Sequence, residues 1–162
     1  MGSGVWISRL ALVACLVGVS AQGAGAQAPA PRPAPPTLAE AMRMLDGARA
    51  AATKMGVGVA CAVVDGRGDL VALVRMDGVS FIGAETARAK AVTSALIGQP
   101  SGSLAQMAPL LSSAAAVARV DMLAVQGALP IMRNNQPAGA IGCGGATSQQ
   151  VEDAARAGLE TK

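Results

Sequence analysis

The sequence predicts one small α+β domain in which an antiparallel sheet is flanked by helices. Three observations predict it. A capped helical pattern opens the domain, two apolar runs joined by a glycine-rich turn follow, and a second capped helix closes it. The chain has 162 residues, which allows one ordinary domain, since domains usually have roughly 100–150 residues.

The first helix is predicted to begin at Leu38 and to end at Gly56. Thr37 and Glu40 have the spacing of a capping box, and a glycine often follows the last turn of a helix. Apolar residues recur at helical spacing between these two signals and form one face. This face consists of Leu38, Ala41, Met42, Leu45, Ala48, Ala52 and Met55.

Residues 57–64 and 70–76 are predicted to form an antiparallel hairpin. Both runs are rich in valine, alanine and other apolar residues, and residues 65–69 have the aspartates and glycines of a turn. Such a pair of runs around such a turn is the sequence pattern of a hairpin.

Two helices are predicted after the hairpin. Residues 81–97 form a long alanine-rich helix that ends at Gly98. Residues 104–120 form a second helical segment, which Pro109 must start or kink because proline lacks the backbone donor.

The end of the domain is predicted to contain short strands and one more helix. Apolar runs at residues 122–126, 128–132 and 137–143 supply the strands. Thr147 and Gln150 again have the spacing of a capping box, which predicts that the last helix begins here.

The first 26 residues have the three-part pattern of a secretory signal peptide. Arg9 carries an early positive charge, residues 10–19 are apolar, and the small residues that end at Ala26 fit a cleavage site. The apolar run is shorter than the about 20 residues needed to span a bilayer. We therefore expect a periplasmic or secreted protein. In an alternative interpretation Cys15 is the lipidated residue of a lipoprotein, but the apolar run continues past it.

Residues 27–36 are rich in proline and alanine and predict an extended leader or linker outside the core. The domain itself is expected over residues 37–160.

Export would leave Cys61 and Cys143 in an oxidising compartment. The two cysteines either pair in a disulfide or are two small buried side chains.

The composition excludes several classes of site and partner. The sequence contains no His and no Tyr, which excludes histidine zinc sites, Ser-His-Asp triads and haem held by a proximal histidine of the same chain. Aromatic residues make up 1% and the charged 14% are scattered, so nucleic-acid binding lacks both its stacking and its electrostatic pattern. A core of small side chains buries little area per residue, and we therefore expect a homo-oligomer.

Lys90 is the first candidate ligand-binding residue. Thr86, Lys90 and Thr93 lie on one stripe of the predicted helix. A lysine flanked by hydroxyl groups suits a carboxylate, such as a haem propionate or an organic acid. The alternative is a lysine that is solvated or lies in a subunit interface.

Arg75 and a glycine pair are the next candidates. Arg75 at the end of the second strand could clamp a carboxylate through two parallel hydrogen bonds, or it ties the strand end to the following loop. Gly144 and Gly145 precede the last helix and could present N–H groups to an anion. Alternatively, this turn needs small residues for close backbone approach.

Seven stretches of the chain follow one another in an order and spacing similar to those of a known family. They lie at residues 38–41, 62–68, 75–78, 87–95, 98–104, 127–131 and 139–145. Over residues 38–159 the chain resembles the GlcG/HbpS-like haem-binding (haem-degrading) family. The resemblance implies a profilin-like layout, assembly into dimers and larger rings, and haem binding in some members. It also implies a ligand-binding role for Ser101, which stands where many relatives have Thr.

Three functional hypotheses follow. In the first, the chain is an exported small-ligand-binding protein whose cofactor is haem, with any haem degradation slow and driven by the bound iron. In the alternative, it is a cofactor-free oligomeric scaffold or a sensor of small organic acids. In the third, it is an enzyme of organic-acid metabolism with Lys90 as base, which the lack of a second proton-transfer group disfavours. All three expect no nucleic-acid partner and no integral membrane segment after processing.

Overall fold

A computed structural model describes Met1 and residues 32–161 of the chain. The predicted signal peptide over residues 1–26, its cleavage after Ala26 and the lipidation of Cys15 concern residues that, apart from Met1, lie outside this description. Within the described part of the chain, no helix is both long enough and apolar enough to cross a membrane.

The domain is α+β, as predicted, with four antiparallel strands and helices on both faces of the sheet. The strand order is β2-β1-β4-β3. The elements are α1 (Leu38–Lys54), β1 (Ala60–Asp65), β2 (Leu70–Arg75), α2 (Phe81–Ile97), a 3₁₀ segment (Ser101–Met107), α3 (Ala108–Ala118), β3 (Ala128–Arg133), β4 (Gln136–Gly144) and α4 (Ser148–Glu160).

The helix ends agree with the capping signals in the sequence. The Thr37 hydroxyl accepts a hydrogen bond from the Glu40 backbone N–H, and the Glu40 carboxylate accepts one from the Thr37 backbone N–H, so both halves of the capping box are formed. Thr147 and Gln150 form the second capping box. Gly98 ends α2 with φ 74°, a conformation that glycine adopts without steric cost.

The sheet separates two apolar layers because strand side chains alternate between its faces. Cys61 and Val63 of β1 pack with α1 and α4 in the larger core, whereas Val64 packs with α2. Helix α2 lies very close to β4. A Cβ at Gly142 would lie 2.5 Å from the carbonyl oxygen of Ala87, so this approach needs a glycine.

The region between α2 and β3 differs from its prediction. The predicted single helix over residues 104–120 is a 3₁₀ segment followed by α3, and Pro109 lies in the first turn of α3. Residues 122–126 form no strand. The segment is instead held by side chains of α2 and of the 3₁₀ segment, which the apolar pattern alone does not reveal.

The end of the leader also differs from its prediction, since Pro36 is buried rather than outside the core. A Cβ at Gly139 would lie 3.2 Å from Cγ and Cδ of the Pro36 ring. The missing side chain of Gly139 therefore leaves the space in which this proline packs on β4.

Candidate functional site

The candidate site lies where the carboxyl end of β4 meets the middle of α2. Lys90 projects from α2 and is only 6% exposed. Its Nζ donates a hydrogen bond to the carbonyl oxygen of Cys143 at 3.3 Å. The sequence stripe that contains Lys90 therefore faces the sheet rather than solvent.

The carbonyl of Cys143 is available to Lys90 because β3 begins too late to use it. The N–H of Cys143 donates to the carbonyl oxygen of Gly127 at 2.8 Å, so the N–H and C=O of Cys143 both point towards the β3 side. Gly127 has φ 131° and precedes the first residue of β3. Lys90 supplies the donor that a regular strand would have supplied.

Lys90 has no carboxylate partner among the described ion pairs. An ammonium has three N–H donors, and one of them is used by Cys143. Burial lowers the pKa of Lys90 from its ordinary value of 10.5, because removing an ammonium from water disfavours its charged form. The site thus holds a desolvated cation with spare donors.

Glycines make room for this cation. A Cβ at Gly127 would lie 3.0 Å from the Lys90 Nζ and 2.7 Å from Cγ2 of Val151. A Cβ at Gly144 would lie 2.6 Å from the Thr86 hydroxyl oxygen. The missing side chain of Gly144 therefore leaves the space in which Thr86 of α2 packs.

The two threonines of the stripe, Thr86 and Thr93, make different hydrogen bonds. The Thr86 hydroxyl donates to the Gly83 carbonyl at 3.1 Å and is partly buried. Thr93 is fully buried and accepts a hydrogen bond from the backbone N–H of Leu123 at 2.7 Å. Thr93 thus holds the segment that leads to β3, and Thr86 lies beside Gly144.

Ser101 is fully buried and holds the corner that precedes β3. Its hydroxyl donates to the carbonyl of Val125 at 2.7 Å and accepts from the N–H of Ala128 at 3.0 Å. This corner includes Gly127, so Ser101 is linked to the surroundings of Lys90. Its own oxygen is enclosed by backbone.

Arg75 and Gly145 lie at the same end of the sheet as Gly144. Arg75 is in register with Ala60, which is in register with Gly144, so Arg75 lies two strands away, at about 10 Å. Its guanidinium donates to the carbonyl of Val79 at 2.6 Å. Gly145 is exposed, has φ 106° and packs on Val79. In this arrangement the arginine ties the strand end to the next loop.

Cys61 and Cys143 are joined by a disulfide. They are directly opposite each other on β1 and β4. Of the two alternatives that the sequence leaves open, the structure has the paired one.

One groove lies beside these residues, and a second lies at the opposite end of the sheet. A groove of about 330 Å³ beside α2 has Glu85, Arg88 and Asp121 in its lining. Arg88 pairs with both acids, so the groove carries one net negative charge and does not suit a carboxylate. A groove of about 490 Å³ at the opposite end of the sheet includes Arg32 and Arg67.

Two features of the site, and one of the surface at the start of α2, are not evident from the sequence. They are the role of Gly127, the carbonyl of Cys143 as acceptor, and the exposure of Phe81 and Ile82 at 71% and 69%. A lone glycine between two apolar runs is the only sequence signal for the first. The other two depend on strand order and on packing.

Comparison with known proteins gives a family and a set of shared folds. The model of the family described as haem degrading protein, HbpS-like, matches residues 37–160. No curated protein sequence matches the chain.

A double mutant of HbpS from Streptomyces reticuli is 27% identical with a TM-score of 0.70, over 94% of this chain and 97% of that chain. The Klebsiella pneumoniae protein ORFY is 24% identical with a TM-score of 0.74, over 83% of this chain and 95% of that chain. PduOC, solved as a haem complex, is 20% identical with a TM-score of 0.67, over 75% of this chain and 90% of that chain. The last two similarities establish a shared fold.

Proposed function

The chain belongs to the HbpS-like family, and we propose on this basis that it is an exported small-ligand-binding protein. We propose that its ligand is haem. Two similarities support this proposal, namely the family match over residues 37–160 and the shared fold with a protein solved as a haem complex. The N-terminal signal pattern supports export to the periplasm or beyond the cell.

The observation that carries the proposal is the Lys90 ammonium. It is buried, it uses one donor on the Cys143 carbonyl, and no described carboxylate pairs with it. A buried charge is costly unless it is paired. A carboxylate such as a haem propionate would supply two charge-assisted acceptors and neutralise the cation.

The described residues fit the acid groups of haem better than its iron. The sequence contains no His, the Ser101 hydroxyl is enclosed by backbone partners, and Cys61 and Cys143 are joined to each other. Any oxidative breakdown of haem is chemistry that the bound iron supplies. We propose that this chain binds and orients the acid groups through Lys90, with Thr86, Arg75 and the Gly144–Gly145 turn nearby.

Access to Lys90 requires a local movement. The side chain is 6% exposed, and the corner around Gly127 lies against its Nζ. We propose that this corner shifts when a ligand carboxylate enters. Such a movement is a local opening of the fold.

Haem titration of the purified chain tests this proposal. The Soret band reports bound haem at a wavelength where the polypeptide does not absorb, and with Trp6 as its only Trp and no Tyr the chain also absorbs very weakly in the near ultraviolet. We expect Lys90→Met to weaken haem binding by about tenfold or more, since a hydrogen bond to a charged group contributes about 1.5–3 kcal/mol.

Lys54→Met is the matched control, because Lys54 is exposed in the last turn of α1. We expect it to bind haem as the unmodified chain does. Equal affinities of the two variants would show that Lys90 does not hold the ligand.

We also propose that the chain forms a homo-oligomer. Large apolar side chains are exposed at the start of α2 and along α3, and such surfaces often mark interfaces. They include Phe81, Ile82, Leu110 and Val117, the last of which is 88% exposed. Light scattering should give a mass above the monomer, and Val117→Lys should lower it if α3 lies in the interface.

A cofactor-free scaffold or small-acid sensor is the second candidate function. It is favoured by the fact that Lys90, Arg75 and Ser101 each already bind a backbone carbonyl. An intact oligomer without a Soret band would support it. Calorimetric titration with a small dicarboxylate would then separate the sensor from the scaffold.

A further inference from the structure

Cys143 takes part in two contacts that lie on different sides of the sheet. Its Sγ is bonded to Cys61 in the core formed with α1 and α4. Its carbonyl oxygen accepts the hydrogen bond from Lys90, which comes from α2 in the opposite layer. One backbone position therefore connects the disulfide to the candidate site.

The register explains why these two contacts coincide. Cys61 and Cys143 are directly opposite on antiparallel strands, with Cα atoms 4.1 Å apart. Close Cα pairs of this kind are the ones whose N–H and C=O groups point away from each other, towards the outer neighbours. The carbonyl of Cys143 consequently points to the β3 side, where Lys90 reaches it.

We propose that the Cys61–Cys143 disulfide sets the position of the Lys90 ammonium, so that reduction of the disulfide changes the affinity of the site for an anionic ligand. The expected change in ligand affinity rests on the proposed function, whereas the effect of the disulfide on the position of Lys90 does not.

Packing makes the two groups move together. Cys143 is fully buried and Cys61 is 3% exposed. Two thiols need more room than one disulfide, and a close-packed core supplies room only through movement of its elements. The Lys90 hydrogen bond is 3.3 Å long, near the upper limit for such a bond. A shift of β4 by a few tenths of an ångström is enough to break it.

The redox step needs a dithiol reductant. One thiolate of the dithiol attacks a disulfide sulfur and forms a mixed disulfide, which releases the other cysteine as a thiolate. The second thiolate of the dithiol then attacks the mixed disulfide and releases the remaining cysteine. The dithiol becomes a cyclic disulfide, and two electrons and two protons are transferred to the protein. Because both sulfurs are buried, the attack requires local opening of the fold.

Competitive acetylation tests the effect on Lys90 without any ligand. The purified chain is treated with trace acetic anhydride before and after reduction by dithiothreitol, and mass spectrometry gives the rate at Lys90 relative to Lys54. In the oxidised chain Lys90 should react far more slowly than the exposed Lys54. Reduction should raise the relative rate by about fivefold or more, which corresponds to the net strength of one hydrogen bond.

The double variant Cys61→Ser, Cys143→Ser gives the same state without a reductant and should show the same raised rate. Circular dichroism on both samples shows whether the fold is retained. An unchanged Lys90 rate in a folded, reduced chain would overturn the inference. Global unfolding on reduction would also overturn it, since the disulfide would then be a structural crosslink only.

Haem titration of the reduced and oxidised chains tests the link to function. A changed affinity together with a changed acetylation rate supports the whole proposal. Failure of both forms to bind haem would overturn the proposed function, while the acetylation result would still decide whether the disulfide positions Lys90.

Discussion

Replacing Ser101 with alanine tests whether its hydroxyl is a structural contact or a ligand contact. Ser101→Ala removes the acceptor for the buried N–H of Ala128 and the donor for the carbonyl of Val125. A buried backbone group without a partner costs about 1–3 kcal/mol, and Val125 is partly exposed, so its carbonyl reaches water more easily. We expect a total loss of about 2–3 kcal/mol in the free energy of unfolding.

The loss should be visible as a lower melting temperature. With an unfolding entropy of about 2.1 cal/mol/K per residue, a domain of roughly 120 residues should melt about 10 °C lower. Circular dichroism is the suitable probe, because the described residues contain no Trp or Tyr. Urea unfolding followed at the same wavelength gives the free energy directly.

Ser103→Ala is the matched control in the same 3₁₀ segment. Ser103 is exposed, and its hydroxyl donates a hydrogen bond to the nearby Pro100 carbonyl at 2.7 Å. Its loss should cost less than about 0.5 kcal/mol. Equal melting temperatures for the two variants would refute the structural role of Ser101. If Ser101→Ala kept its stability but lost haem binding, the hydroxyl would instead be a ligand contact.

Gly127→Ala should cost about 2–4 kcal/mol of stability, because φ is 131° and the new Cβ meets three neighbours at 3.0 Å or less. Gly56→Ala, with positive φ but open space, should cost only about 1 kcal/mol in the same urea experiment. A backbone hydrogen bond from Thr37 is the main cause that lowers the pKa of Glu40 to about 2. This contribution to stability is therefore present above about pH 4.5 and lost as the pH falls towards 2, and Glu40→Gln should flatten that acid-induced loss in circular dichroism. Burial lowers the pKa of Lys90 from 10.5, so unfolding takes up a proton just below pH 10.5. Stability should rise as the pH approaches 10.5, and a rise that persists in Lys90→Met would contradict this assignment.

The sequence alone predicts the elements whose ends are decided by neighbouring residues. Thr37 with Glu40 and Thr147 with Gln150 mark the starts of α1 and α4, and Gly98 marks the end of α2. These signals work because a cap and its partner are three or four residues apart. The hairpin turn over residues 65–69 is local for the same reason.

The burial of Lys90 could not be predicted from the sequence. Its helical stripe is correctly deduced from the sequence, but α2 has small apolar residues on most of its surface, so its pattern does not reveal which face meets the sheet. The packing of α2 against β4, together with the corner around Gly127, buries the lysine. This packing places a charged residue in a buried position, although the sequence pattern is equally consistent with an exposed one.

The amino-acid sequence by itself determined the α+β class, the capped helix ends, the hairpin and the family resemblance, because each depends on local patterns or on their order along the chain. The tertiary structure decided the partners of Lys90, Ser101 and Cys143. The strand order β2-β1-β4-β3 brings Cys61 beside Cys143 across a separation of 82 residues. Contacts between such distant residues depend on which strands pair and on how the layers pack, and no spacing rule within one segment contains that information.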